Sequence, residues 1–296
     1  MSDIKFTGER YIPSETGIIR YEHLHRYFVC LDLVVGKSVV DIACGEGYGS
    51  YLLAGSAESV IGIDIEPECI SHAKKKHNKD NLTFLLGSCD EISIDSQSVD
   101  IVISFETIEH HDKHEEMISE IKRILKPSGV LIISSPNRLT YSDIPNYQNP
   151  FHVKELYYDE LSRLLNKYFK CIEFYGQKVV ITSLVLPLGK QKEDHLEINC
   201  LGTNSYEENN SIYFISICSN NLETTNPITL ESIFYDSNED IIDSYYKIQE
   251  QLQKQLHDTL WKYQKSQSEL EGMKRSSFWK LRNIWFKIKN IFGSRI

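Results

Sequence analysis

The 296-residue sequence has no CxxC pair and no Cys/His spacing of zinc-ligand type among its seven cysteines (30, 44, 69, 89, 171, 200 and 218). Free thiols in a reducing compartment fit that usage better than a disulfide framework. No run reaches the roughly eighteen apolar residues of a membrane span. The opening stretch MSDIKFTGERYIPSETG has no apolar core of the kind a secretory signal carries, so a cytoplasmic location is expected. Positive charge is scarce and densest at one end. The chain has 32 Lys and Arg against 42 Asp and Glu, a net charge of −10, and seven of the basic residues lie from Lys274 onward, where no Asp or Glu occurs. Residues 1–273 therefore carry 25 basic against 42 acidic side chains, a balance of −17. An acidic body argues against nucleic acid as the main partner, since that affinity usually comes from neutralising phosphates.

What is present is an alternation. SVVDIA, SVIGIDI, LTFLLGS, VDIVISF and GVLIISSP read as short, β-branched strands. Between them GSYLLAGSA, PECISHAKKKH (opened by Pro67) and KHEEMISEIKRILKPSG read as helices. Strand and helix in turn at this spacing predict a doubly wound α/β domain with a mostly parallel sheet. Farther on, NRLTYSDIPNYQNPFH reads as a surface loop and VKELYYDELSRLLNKYF as a helix. KCIEFYGQKVVI and SIYFISICS read as late strands around a polar insertion at 187–210. The expected organisation is one domain over 1–225, a linker over 226–244, a coiled coil over 245–273 and a basic amphipathic helix over 274–296.

In such sheets ligands sit at the carboxyl ends of strands, and the first strand-to-helix turn is the usual cofactor cradle. Here that turn is VVDIACGEGYGS, with Gly45, Gly47 and Gly49 following Asp41. Glycines let backbone approach a ligand, and the next helix offers free N–H groups. A dinucleotide fingerprint fails, because G-E-G-Y-G-S places Ser50 where the third glycine is required.

The segment D-I-A-C-G-E-G instead resembles motif I of the class I S-adenosylmethionine-dependent methyltransferases, with Ala43 where the first family glycine usually stands. The acid ending VIGID, the SFETIEH segment and LKPSGVLIISSP follow in family order across residues 36–137. The resemblance implies a Rossmann-like seven-stranded sheet and S-adenosylmethionine as cofactor. It also implies a cofactor site of Asp41, Ala43, Cys44, Gly45 and Gly47 in the first turn, with Asp64 accepting from the ribose hydroxyls. Ile65 then packs on the adenine, Ser88 and Cys89 approach its amino edge, and Phe105 sits beside the methyl group. FTGERYIP, YEHLHRY, SFETIEHH, SSPNR and NPFHVKEL are together similar to a bacterial subgroup found with genes for O-antigen and other surface polysaccharides, sometimes fused to glycosyltransferases. That implies a sugar hydroxyl acceptor, lipid-linked or free, and glycosyltransferase partners. A small-molecule methyltransferase and a non-catalytic scaffold are the competing readings.

A protonated hydroxyl is a poor nucleophile, so a base near neutral pH is expected, and His110 and His152 are the candidates. Glu106 and Glu109 are the carboxylates nearest them. Some sugar O-methyltransferases use magnesium, and His110, His152 and a carboxylate are a conceivable ligand set; no spacing demands a metal, and none is predicted. The Arg-, Tyr- and His-rich segment before the first strand either closes over the cofactor, through Tyr11, Arg26 or Tyr27, or is an ordinary packing helix.

In the tail, Tyr245, Ile248, Leu252, Leu256, Thr259, Tyr263, Ser266, Leu270 and Met273 recur at steps of three and four, which predicts a coiled coil and a homo-oligomer. Beyond it Phe278, Leu281, Ile284, Trp285, Ile288, Ile291 and Phe292 fall within an arc of about 140°, with Lys280, Arg282, Lys287 and Lys289 beside or opposite it. A basic amphipathic helix of this kind predicts peripheral contact with an anionic membrane, docking on a protein being the alternative.

Overall fold

The computed structural model describes residues 11–180, 211–221, 228, 230–234, 236 and 240–292, with side chains as far as 290. Two compact units are present, residues 1–237 and 238–296. In the first, helix α1 (Ile18–Phe28) precedes strand β1 (Ser38–Ile42), then α2 (Tyr48–Leu53), β2 (Ser59–Asp64), α3 (Pro67–Lys76), β3 (Leu82–Leu86) and β4 (Val99–Ser104). Helix α4 (His114–Ile124), β5 (Leu125–Pro136), α5 (Tyr158–Asn166), β6 (Cys171–Gln177) and β7 (Tyr213–Ser219) complete it. The sheet order is β3-β2-β1-β4-β5-β7-β6. β1 to β5 run parallel, and β7 is antiparallel to both β5 and β6. This is the expected Rossmann-like sheet of seven strands.

Strand alternation splits the core into two layers. Val40, Ile42 and Val102 face one cluster with Met117, Ile118 and Ile121 of α4 and Leu161 and Leu165 of α5. Val39, Ile101 and Ile103 face the other with Tyr27, Cys30, Val34 and Leu53. Each such side chain contributes about 1.5–3 kcal/mol by leaving water, which clamps helices to both faces.

Three boundaries differ from the sequence expectation. Helix α4 ends at Ile124 and β5 begins at Leu125, because Pro127 has no N–H for a helix and disfavours the helical region for the residue before it. Helix α5 starts at Tyr158, not at Val153. The Val153 and Lys154 N–H groups both donate to the Glu109 carbonyl (2.8 and 3.0 Å), which takes these residues out of any helix. The stretch expected to be linker up to 244 already turns helical at Asp240. The polar insertion at 187–210, which includes Cys200, and linker residues 226–227, 229, 235 and 237–239 lie outside the described residues.

The second unit consists of α6 (Asp240–Arg275) and α7 (Ser277–Phe292). No residue of α6 is buried. Among the described residues no helix is long and apolar enough to cross a membrane.

Candidate functional site

Register decides what meets at the carboxyl edge of the sheet. Ile42 of β1 pairs with Ile63 of β2 and with Ser104 of β4, so Ala43, Asp64 and Phe105 emerge side by side. β1 lies between β2 and β4, and the chain crosses over it after β3. This is the switch point where open α/β sheets hold ligands. A cavity of about 510 Å³ opens there. Ala43, Cys44, Gly45, Asp64, Ile65, Ser88, Cys89, Phe105 and His110 line it together.

The floor is held by backbone. One Asp64 oxygen accepts the Gly45 N–H at 2.8 Å and the other the Glu66 N–H at 2.9 Å, so the carboxylate ties the first turn to the end of β2. Asp64 is 4% exposed, with lone pairs left for further donors. Ile65 is 67% exposed at the rim, an apolar face open to a flat ring. Ser88 donates to Asp90, and Asp90 also accepts Lys113 at 2.5 Å. Those bonds hold the Asp90 carboxyl down at about 2. Cys89 Sγ lies 3.4 Å from His111 Nε2.

Two residues expected in the cofactor set stand behind the wall. Asp41 is fully buried and accepts from Ser50 Oγ at 2.6 Å and from the Tyr27 hydroxyl at 3.2 Å. Burial pushes its carboxyl up to about 7 against those two hydrogen bonds. Gly47 adopts φ 79°, and a Cβ there would come within 2.5 Å of the Phe84 ring. Its missing side chain makes room for core packing. Ala43 takes the left-handed conformation at φ 58° without being a glycine.

The segment before β1 packs as a helix and also reaches the cavity. Tyr11, His23 and Tyr27 line the cavity, while α1 packs on the second core cluster through Tyr27. His23 stacks on Tyr11 and its Nδ1 lies 3.1 Å from the Tyr48 hydroxyl. Burial, and then the positive Arg26, hold His23 well below the usual imidazole range. Arg26 lies outside the lining, 1% exposed. It donates to Gln177 Oε1 at 2.7 Å, lies 4.4 Å over the Tyr213 ring, and stands 3.6 Å from Glu106 Oε1.

Glu106 is a site residue that sequence reasoning named only in passing. It lines the cavity, sits at φ 48°, and is fixed by a reciprocal pair with Ser134: its N–H donates to Ser134 Oγ (3.0 Å), whose hydroxyl donates back to Oε1 (2.6 Å). Such backbone strain costs about 1–3 kcal/mol and collects at functional sites.

The mouth is built from side chains of two segments. His110 lines the cavity and His152 does not, but their rings meet edge to face at 5.1 Å. His110 Nδ1 lies 3.2 Å from the Phe151 carbonyl, and His152 Nδ1 lies 2.6 Å from Glu155 Oε1. Both acceptors require the proton on Nδ1, while Nε2 faces Glu109 Oε1 at 3.9 Å in His110 and Asn149 Nδ2 at 3.0 Å in His152. Glu155 went unnoticed in the sequence; its three-residue separation from His152 in HVKE was the available signal.

Residues 33–195 match the family model described as "Methyltransferase domain", more than half of the chain. A protein of Mycolicibacterium smegmatis named "Probable S-adenosylmethionine-dependent methyltransferase" is 36% identical over 169 residues, covering 55% of this chain and 64% of its own length. The phthiotriol/phenolphthiotriol dimycocerosates methyltransferase of Mycobacterium leprae is 30% identical over 98 residues, 32% of this chain and 36% of that protein. The chain thus spans less than two thirds of the length of these relatives. The fold is similar to that of a protein described as "the putative methyltransferase" in its complex with the Haloferax volcanii Trm112 methyltransferase activator, with a TM-score of 0.51, 20% identity, and coverage of 68% of this chain and 90% of that one.

Proposed function

Since the chain belongs to the family of S-adenosylmethionine-dependent methyltransferases, we propose that it methylates a sugar hydroxyl of a bacterial surface glycan. The cofactor's groove fits the residues present. Asp64 is a buried acceptor suited to two ribose hydroxyls, Ala43 to Gly45 expose backbone, and Ile65 and Phe105 offer apolar faces. S-adenosylmethionine supplies a methyl on a sulfonium, which departs as a neutral thioether when an acceptor oxygen takes that methyl. The protein's own work is to position the two partners and to remove one proton. His110 carries the second task. Its Nδ1–H is given to the Phe151 carbonyl, so Nε2 can take the proton of a hydroxyl entering the mouth, with His152 packed behind it.

The observation that carries the reading is the paired imidazole at the cavity mouth. The glycan class is supported by segment identity: HLHRY contributes His23 and Tyr27 to the wall, and NPFHVKEL contributes Phe151 and the His152–Glu155 pair. The relative named for phthiotriol dimycocerosates acts on a lipid by that name, which favours a lipid-linked form of the glycan acceptor. The deciding experiment is mass spectrometry of surface glycan from cells with and without the gene. A difference of one methyl group per acceptor is expected, and identical glycans overturn the reading.

The second unit belongs to the same proposal. A helix from Asp240 to Arg275 with no buried residue leaves its seam of Ile248, Leu252, Leu256 and Leu270 uncovered, and a second copy of the chain is the partner such a seam suits. In α7, Phe278, Leu281, Ile284, Trp285 and Ile288 are all more than 45% exposed beside basic residues, which suits an anionic membrane surface. The full chain should sediment with anionic vesicles at low salt, and a chain truncated after Gly272 should stay in the supernatant. If both stay in the supernatant, the membrane role is excluded.

A further inference from the structure

We propose that Glu109, His110 and His152 form a divalent-cation site beside the cavity mouth, suited to a first-row ion such as Mn²⁺ or Zn²⁺. One donor atom from each lies within 4.8 Å of the others, and His110 Nε2 stands 3.9 Å from Glu109 Oε1. An ion at about 2.0–2.2 Å from each donor spans pairs up to about 4.4 Å apart, so small side-chain rotations close the set.

The hydrogen bonds of the two rings decide what they offer. Metal-bound histidines almost always give the other ring N–H to a carboxylate or a backbone carbonyl, which fixes the tautomer and strengthens the donor. Here one ring has each kind of acceptor, the Phe151 carbonyl for His110 and the Glu155 carboxylate for His152. Asn149 Nδ2 lies 3.0 Å from His152 Nε2 and 3.2 Å from the Tyr141 hydroxyl, so the amide keeps one partner when an ion takes the ring nitrogen. Tyr141 stacks on the His152 ring at 5.3 Å and holds its plane.

The three ligands are brought together by backbone. Glu109 and His110 follow β4, and the Glu109 carbonyl accepts the N–H groups of both Val153 and Lys154, which pins the segment carrying His152. Glu109 itself is 1% exposed, so the carboxylate is withdrawn from water, where a cation beside it is worth more than at the surface. Two imidazoles and one carboxylate suit Mn²⁺, Fe²⁺, Co²⁺ or Zn²⁺ better than the all-oxygen preference of Ca²⁺. Three protein ligands also leave coordination positions open. A hydroxyl bound there loses its proton more readily, the proton passing to water at the mouth. For that role the inference rests on the proposed methyl transfer, and it changes His110 from a base into a ligand; for binding it stands alone.

The test reads the metal alone. Full-length protein stripped by chelator is titrated with Mn²⁺ and followed by electron paramagnetic resonance, with Zn²⁺ as competitor. One equivalent per chain is expected. Affinity should fall at least about tenfold in His110→Ala, His152→Ala and Glu109→Gln, and roughly tenfold in Glu155→Gln, which touches no ion. Calorimetric S-adenosylmethionine binding in each variant reports that the domain is folded. No binding of either ion at millimolar concentration, or unchanged binding in both histidine variants, overturns the site. Because no acceptor is present, that failure is distinct from a failure to find methylated glycan.

Discussion

The floor and the mouth of the cavity are made in opposite ways. The floor is backbone arranged by one carboxylate: Asp64 accepts from Gly45 and Glu66, and the turn from Ala43 to Gly47 contributes left-handed main chain. The mouth is side chains that meet across 41 intervening positions: His110 after β4, and His152 with Glu155 on the approach to α5. A floor of this kind suits a constant ligand, since main-chain groups vary little with sequence. A mouth of side chains can be retuned for each acceptor without touching the floor. Side-chain deletion should therefore be harmless in parts of the floor and ruinous at the mouth.

The largest effect is expected at the mouth. If His110 takes the hydroxyl proton as proposed, His110→Ala should lower turnover roughly a hundredfold while S-adenosylmethionine affinity stays within a few-fold, and His152→Ala, which removes the ring packed behind it, should lower turnover less. Single-turnover transfer and calorimetry on the same preparations separate the two quantities. Full activity in both variants removes side-chain chemistry from the mouth and collapses the comparison.

The same contrast explains what could be read from sequence. The main-chain turn and the carboxylate that ties it lie between Asp41 and Glu66, and β1 pairs in parallel with β2 and β4, so a local motif is enough to place them. The mouth depends on the Val153 and Lys154 hydrogen bonds to the Glu109 carbonyl. That tertiary pairing carries no periodic signal, and it moves the start of α5 by five residues. His110 and His152 were legible as residue types, but Glu155 as their partner was not. Within the floor the motif also hid a division of labour. Gly47 makes room for Phe84, and Asp41 holds Ser50 and Tyr27 behind the wall. Neither fact is visible until the rings are placed. The strained φ of Glu106 is likewise a property of the fold around Ser134 and Arg26.

Asp41 supplies the next prediction, in stability. Its folded carboxyl is raised to about 7 from an ordinary 3.8 by burial. Below about pH 4 both folded and unfolded chains hold the proton, and its contribution is fully present. As pH rises toward 7 the unfolded chain ionises while the folded one does not, so stability is lost across that window. Asp41→Asn keeps an acceptor for one hydroxyl and cannot ionise. Its melting temperature relative to wild type should rise by about 5 °C between pH 5 and pH 7, corresponding to about 2 kcal/mol. A difference that is flat with pH means that Asp41 is ionised in the fold, and the floor then rests on a buried charge.

At Asp64 the expected loss is in affinity. If Asp64 holds the ribose as proposed, Asp64→Ala removes an acceptor for two hydroxyls, each bond worth about 1 kcal/mol or more. It also frees the Gly45 and Glu66 N–H groups that the carboxylate now satisfies. S-adenosylmethionine affinity should fall at least about tenfold by calorimetry. Unchanged affinity would mean that the carboxylate serves only the turn.

The smallest effect has the opposite sign. Ala43 occupies the left-handed region at φ 58°, where an L-residue is strained by about 1–2 kcal/mol and glycine is not. Glycine gives back part of that through the greater freedom of its unfolded chain, about 0.4–1 kcal/mol. Ala43→Gly should therefore be net stabilising by about 0.5–1 kcal/mol, a rise of about 2 °C in melting temperature. Ala43 is exposed at the cavity, so its methyl contributes little core packing that could be lost. Cofactor affinity should be unchanged or slightly higher, because the contact there is main chain. Differential scanning calorimetry with and without S-adenosylmethionine measures both. A melting temperature that falls would show that the Ala43 methyl is itself part of the floor, and the distinction between a backbone floor and a side-chain mouth would not hold at its most exposed point.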